Sequence, residues 1–216
     1  MVSPRLAERI REYLPEDIEV LRPVEGSDSE LIELAKDVEV ILATRLSPEV
    51  VKAAENLKLV QKTGAGVDDM PFQALDNNFY IANTSGSNPF PLAEGAVALV
   101  LALAKKIVPK HLEFRKSRTR IHGVLLKGKT VGIVGYGSIG REVGNRLKAF
   151  GMELMGIKRT PDEELRKVDG LKFLGVERDL DYVLRESDFV VVTAPLTPET
   201  RGMIGRSELG AMKPTA

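Results

Sequence analysis

Apolar positions in the first half of the chain follow two alternating periods. Residues 3–14 carry Leu6, Ile10 and Leu14 at helical spacing, and 29–36 predicts a second helix started by Ser27, Asp28 and Ser29. Asp17–Leu21 predicts a short strand and Val38–Ala43 (VEVILA) a buried one. Ser47 and Pro48 then open a further helix, Ser as its cap and Pro in its first turn. Leu57–Lys62 predicts a strand that runs into Thr63-Gly64-Ala65-Gly66, and Phe79–Ala82 another. Strands separated by helices of this length imply βαβ units and a parallel sheet.

After a Ser/Gly/Asn/Pro-rich loop, Asn83–Pro91, the longest helical pattern runs from Leu92 to about Lys116. Its first half (AVALVLALA) is apolar nearly all round, which predicts burial between domains or subunits. Its second half is basic, and Pro109 should kink or interrupt it. The domain boundary is expected near residue 100, giving domains 1–100 and 101–216. The second domain restarts the α/β pattern: strand Thr130–Val134, helix 139–149, strand Glu153–Ile157, helix 161–167, edge strand 171–174, helix 179–186 and strand Phe189–Ala194.

Composition narrows the function classes. The 216 residues are 43% hydrophobic and 29% charged, an ordinary foldable mixture of about one and a half average domains. Thirty-one basic side chains balance 31 acidic ones, so the basic excess of a nucleic-acid or anionic-membrane binder is missing. Without cysteine, disulfides, thiolate zinc sites and a catalytic thiol are excluded, and a reducing cytoplasm is expected. The charged N-terminus does not read as a signal peptide. The apolar run Ala96–Ala104 is about half the length that a bilayer needs. No His spacing suggests a metal site.

The chemistry lies in Gly135-Tyr136-Gly137-Ser138-Ile139-Gly140, a GxGxxG that leaves a hydrophobic strand and enters an amphipathic helix. In that setting Gly135 makes the tight turn, Gly137 lets the backbone approach a pyrophosphate, and Gly140 lets the helix pack close to the strand. The helix N-terminus then presents free N–H groups to the phosphates. An NAD site would place a carboxylate at the tip of the next strand; here Lys158, Arg159 and Thr160 stand there. Two cations and a hydroxyl suit a ribose 2′-phosphate, so NADP is expected over NAD; the alternative is two solvated charges followed by the next helix's first turn, Thr160-Pro161-Asp162-Glu163.

Four segments together resemble the D-isomer-specific 2-hydroxyacid dehydrogenase family: Leu57–Asp69 (LKLVQKTGAGVDD), Ile81–Ala98, Leu126–Glu142, and Val191–Met212 with its PLTPET stretch. The resemblance implies an α/β fold, a flavodoxin-like substrate domain followed by a Rossmann nucleotide-binding domain. It also implies hydride transfer between a nicotinamide cofactor and a small 2-keto or 2-hydroxy acid, and a homodimer. The N–H groups of Ala65 and Gly66 would bind the substrate carboxylate, as consecutive amides in a glycine turn make an anion nest. Ser138 and Ile139 would give backbone donors to the pyrophosphate, and Pro195 and Thr200 would line the cofactor, although Thr200 could instead cap its own turn. Lys158 and Arg159 stand where NAD-using members carry Asp. Asn88–Glu94 would lie near the nicotinamide, or Glu94 could be an acidic residue of a helix's first turn.

The family's catalytic Arg, Glu and His follow the segment that ends here at Lys213-Pro214-Thr215-Ala216, so no catalytic residue is expected within the chain. His111 and His122 read as surface or packing residues. Val2-Ser3 leaves no room for the family's first strand, and the last strands of a Rossmann sheet are missing; the chain reads as part of a longer dehydrogenase, inactive alone. A non-enzymatic NAD(P)-binding regulator of the same fold is the alternative. Lys62 reads as an exposed strand-end lysine, or as the holder of a small anion in a related oxidation such as that of formate or phosphonate.

Overall fold

The computed structural model describes residues 4–72, 78–117, 120–160 and 162–216; Val2-Ser3 and position 161 of the expected helix 161–167 lie outside them. Two compact units result, Met1–Ser87 and Asn88–Ala216.

In the first unit, helix α1 (Pro4–Arg11) is followed by α2 (Asp28–Ala35), β1 (Val40–Ala43), α3 (Pro48–Ala53), β2 (Leu59–Lys62) and β3 (Tyr80–Ala82). The helix starts follow their capping chemistry. The Ser27 and Ser47 hydroxyls accept from Glu30 N and Val50 N, and Pro48 opens α3 where its missing N–H costs nothing. The strands form one parallel sheet in the order β1-β2-β3. Its core gathers Ala35, Val50, Ala54, Leu57, Val60 and Met70. The predicted strand Asp17–Leu21 does not form. Its Val20 carbonyl accepts from the Arg11 guanidinium at 2.8 Å, while β1 stands at the sheet edge with Val40 exposed. A strand exists only by pairing, and no neighbour pairs with this segment.

The second unit opens with α4 (Pro89–Ala104) and α5 (Ile107–Lys116). The expected boundary near residue 100 would cut α4, which packs along α6 and goes wholly with this unit. Within the single chain, α4 buries one stripe only. Ala93, Val97, Val100 and Ala104 form the buried stripe, while Leu99 and Leu103 stay 68% and 71% exposed. The break before α5 is at Lys106, whose φ of 53° is left-handed, and not at Pro109, which sits in the first turn of α5 where proline is tolerated.

The remaining elements are β4 (Thr130–Val134), α6 (Ser138–Ala149), β5 (Glu153–Ile157), α7 (Glu163–Asp169), β6 (Phe173–Gly175), a 3₁₀ turn (Glu177–Asp179), α8 (Leu180–Glu186), β7 (Phe189–Val192) and α9 (Arg206–Ala211). All strands are parallel, in the order β6-β5-β4-β7. Strand β4 is buried along its whole length, with Val131 and Ile133 in the cluster shared with α4 and α6, and Val134 in the one shared with α8. Successive connections run outward from β4 on one side, through β5 and β6, and then return to its other side at β7. The strand order therefore reverses between β4 and β7, and a crevice at the carboxyl ends of a parallel sheet opens at such a point.

Candidate functional site

The Gly-rich turn lies at this switch point. Gly135 has φ 97°, and a Cβ on it would stand 2.3 Å from Ala194 N, so the turn is pressed against the end of β7. The Thr193 hydroxyl donates to Gly135 O at 2.8 Å, a contact across the switch point that no motif announced. A Cβ on Gly140 would meet Gly135 O at 2.6 Å and Ile133 Cγ2 at 2.9 Å, which is how α6 packs onto β4. Gly137 differs. Its φ of −98° suits any residue, and a Cβ there would meet nothing within 4 Å. Packing does not require this glycine, whereas a ligand approaching the backbone would.

Ser138 and Ile139 open α6, and no side chain caps the helix. Its first turn carries no acidic residue, while Arg146 and Lys148 lie in its last turn. The amides and the macrodipole thus present an unneutralised positive end beside Gly137. These residues fit a pyrophosphate.

At the end of β5, Lys158 is partly buried, and Arg159 and Thr160 are exposed. Carboxylates are not absent from this neighbourhood. Lys158 Nζ is 3.7 Å from Asp162 Oδ2, and Asp162 also caps α7 by accepting from Leu165 N at 2.9 Å. Glu199 is held below the usual carboxylate range by the Thr197 hydroxyl, with the charge of Arg159 contributing. The turn around Pro195 is closed by Thr200, whose hydroxyl donates to Pro195 O at 2.6 Å and accepts from Thr197 N at 2.8 Å. Thr200 therefore caps its own turn.

Glu94 lies in the second turn of α4, and its carboxylate is 4.0 Å from Arg146, whose guanidinium lies over the Phe90 ring. His111 and His122 are exposed. Among the described residues, no group of three or more His, Asp or Glu side chains is placed to hold a metal ion, and no helix is long and apolar enough to cross a membrane.

In the first unit, the segment after β2 is tied to the end of β3. Asn83 Nδ2 donates to Ala65 O at 2.9 Å, and Thr84 N donates to Gly64 O at 3.3 Å. Across a trans peptide the N–H points opposite to the carbonyl. The N–H groups of Ala65 and Gly66 are therefore both turned away from the end of β3. Lys62, which leads into this segment, is 4% exposed and not the surface lysine its position suggested. Its ammonium donates to Asp69 Oδ1 and to Thr44 O, both at 2.5 Å. Lys62, with Arg45 at 3.8 Å, holds the Asp69 carboxyl below its usual range. Sequence reasoning missed Asp69, although a lysine seven residues ahead of it was the available signal.

A sequence profile described as "D-isomer specific 2-hydroxyacid dehydrogenase, NAD binding domain" matches residues 97–216. The chain belongs to the D-isomer-specific 2-hydroxyacid dehydrogenase family. Within this family it is 32% identical to a D-3-phosphoglycerate dehydrogenase of Methanocaldococcus jannaschii over 87% of this chain and 36% of that protein. It is 36% identical to a glyoxylate reductase of Pyrococcus furiosus over 86% of this chain and 58% of that one. The crystal structure of the TT0316 protein from Thermus thermophilus superposes with a TM-score of 0.76 at 30% identity, covering 99% of this chain and 68% of that one. The chain thus spans between about a third and three fifths of the length of these curated dehydrogenases and reductases. The family's nucleotide-binding domain implies a pyridine nucleotide, and the Gly135–Gly140 turn described above is the part of this chain that fits one.

Proposed function

We propose that this chain is the nucleotide- and substrate-binding portion of an oxidoreductase that transfers a hydride between NADP(H) and a small 2-keto or 2-hydroxy acid. The observation that carries the reading is Gly137, a glycine with open space above it beside an uncapped helix start. Ser138 N and Ile139 N would hold the pyrophosphate, with Pro195 and the Thr200-closed turn along the cofactor. When bound, the nicotinamide supplies or accepts the hydride. In the first unit, the Ala65 and Gly66 amides would orient the substrate carboxylate, as in a substrate-binding domain. Glyoxylate and hydroxypyruvate, after which several relatives are named, are the substrate types to try first.

NADP over NAD is supported by the β5 tip. The Lys158–Asp162 pair is long and partly exposed, the kind of contact worth ~0–1 kcal/mol, so a phosphate with stronger charge-assisted bonds can displace it. Titrating the chain with NADPH and NADH while following nicotinamide fluorescence tests both points. Tighter NADPH binding that Lys158→Ala/Arg159→Ala abolishes supports the reading; an NADH preference would reverse the cofactor choice.

A homodimer is part of the proposal. Leu99, Leu103, Ile107, Val108, Leu112 and Phe114 on α4 and α5 are all more than half exposed, apolar side chains that a second copy of the chain could cover. Light scattering at the dimer mass, lost in Leu103→Glu, is the expected result. The cysteine-free composition fits a cytoplasmic setting.

A further inference from the structure

Tyr136 stands between the first two glycines of the motif, yet its side chain does not face the ligand space above them. It is 1% exposed, and its hydroxyl donates to Asp169 Oδ2, at the end of α7, at 3.2 Å. The other carboxylate oxygen accepts from Arg141 Nη2 on α6 at 2.7 Å, and the Asp169 backbone carbonyl accepts from Lys148 at 3.0 Å. Two glycines outside the motif shape the slot for the ring. A Cβ on Gly144 would stand 3.1 Å from the Tyr136 hydroxyl, and one on Gly156 3.2 Å from its Cδ2. The turn's main chain is pinned separately, as Gly135 N and Tyr136 N both donate to Ile157 O, at 2.9 and 2.8 Å.

We propose that Tyr136, Asp169 and Arg141 are positioning residues that hold the Gly-rich turn in its phosphate-receiving shape. The inference deepens the dinucleotide reading and rests on it. A turn with glycines at two of three positions is costly to order, and a turn ordered beforehand spares the ligand that cost. The hydroxyl anchors the single non-glycine residue of the turn to a carboxylate that α6 also grips, so the turn and the helix start move as one piece. Burial first, and then the Asp169 charge, push the Tyr136 hydroxyl above its ordinary pKa, so it stays a donor into alkaline pH. A ring needed only for packing would not require a buried carboxylate, whose desolvation is costly.

The test uses Tyr136→Phe, which removes one oxygen from a filled slot, and Asp169→Asn. Each is titrated with the tighter of NADH and NADPH, with ADP-ribose, which contains the pyrophosphate, and with adenosine, which lacks it, the last by ligand-observed NMR. Positioning predicts about tenfold weaker binding of the dinucleotide and ADP-ribose, with adenosine changed less than twofold. Equal weakening for adenosine would show a general structural role and overturn the inference, as would unchanged ADP-ribose affinity. If Asp169→Asn does not fold, Tyr136→Phe decides alone. Wild-type chain that binds neither dinucleotide would fail at an earlier step, removing the cofactor reading and this inference with it.

Discussion

A Cβ on Gly135 would lie 2.3 Å from Ala194 N, whereas one on Gly137, two residues along, would touch nothing within 4 Å. The first glycine is required by the protein's own packing and by its φ of 97°, the second by neither. Gly135→Ala should therefore lower stability by about 2–4 kcal/mol, left-handed strain plus a backbone clash that has no flexible partner. Gly137→Ala should stay within about 0.5 kcal/mol of wild type and lose dinucleotide affinity tenfold or more. Urea unfolding and fluorescence titration of both variants separate the two roles. A destabilised Gly137→Ala would mean that its open space is not reserved for a ligand.

The Lys62–Asp69 pair predicts an asymmetry. Removing Asp69 leaves an ammonium at 5% exposure without its carboxylate, while removing Lys62 leaves a carboxylate at 35% exposure that water can reach. Asp69→Asn should cost about 2 kcal/mol and Lys62→Met about 1 kcal/mol or less. Equal losses in chemical denaturation would argue that the lysine's bond to Thr44 O, and not its charge pair, is the main contribution.

Much of the second unit was legible in the sequence, because β4 is buried along its whole length and its glycines occur in a strand–turn–helix setting. What escaped were relationships between distant residues. Asp17–Leu21 looks like a strand by composition, but pairing depends on a neighbour that local pattern does not reveal. Thr193 and Asp169 reach the glycine turn only through the sheet order and the packing of α7, which no spacing encodes. Lys62 read as exposed because strand-end lysines usually are; its burial depends on Asp69, seven residues away in a loop. At the β5 tip, the sequence registered Lys158 and Arg159 but not that Asp162 would lie beside the first.

Asp188 predicts the response to acid. Burial alone would raise its pKa, but the Thr130 amide, with Lys213 and Lys129, outweighs this and holds the carboxyl below its ordinary 3.8. A depressed carboxylate stabilises the fold fully above the unfolded-state value and loses that contribution as pH falls through the folded one. Stability should therefore drop from just above pH 4 downward, and Asp188→Asn should flatten that part of the profile. It should also cost about 1.5–3 kcal/mol near neutrality. Thermal melts between pH 3 and 7 check both; an unchanged acid limb would place the sensitivity elsewhere.

Lys106 is the single non-glycine residue with positive φ among those described, and its left-handed conformation is what separates α4 from α5. This backbone region costs an L residue about 1–2 kcal/mol and glycine almost nothing. Substituting glycine also enlarges the unfolded ensemble, at a cost of about 0.4–1 kcal/mol. The difference leaves Lys106→Gly more stable by about 0.5–1 kcal/mol, or roughly 1–4 °C in Tm for a chain of this size. Lys106→Ala keeps the strain and should gain nothing. If both variants melt alike, the strain is relieved in solution and the helix break is set instead by Gly123, where a Cβ would meet Ala104 O at 2.6 Å.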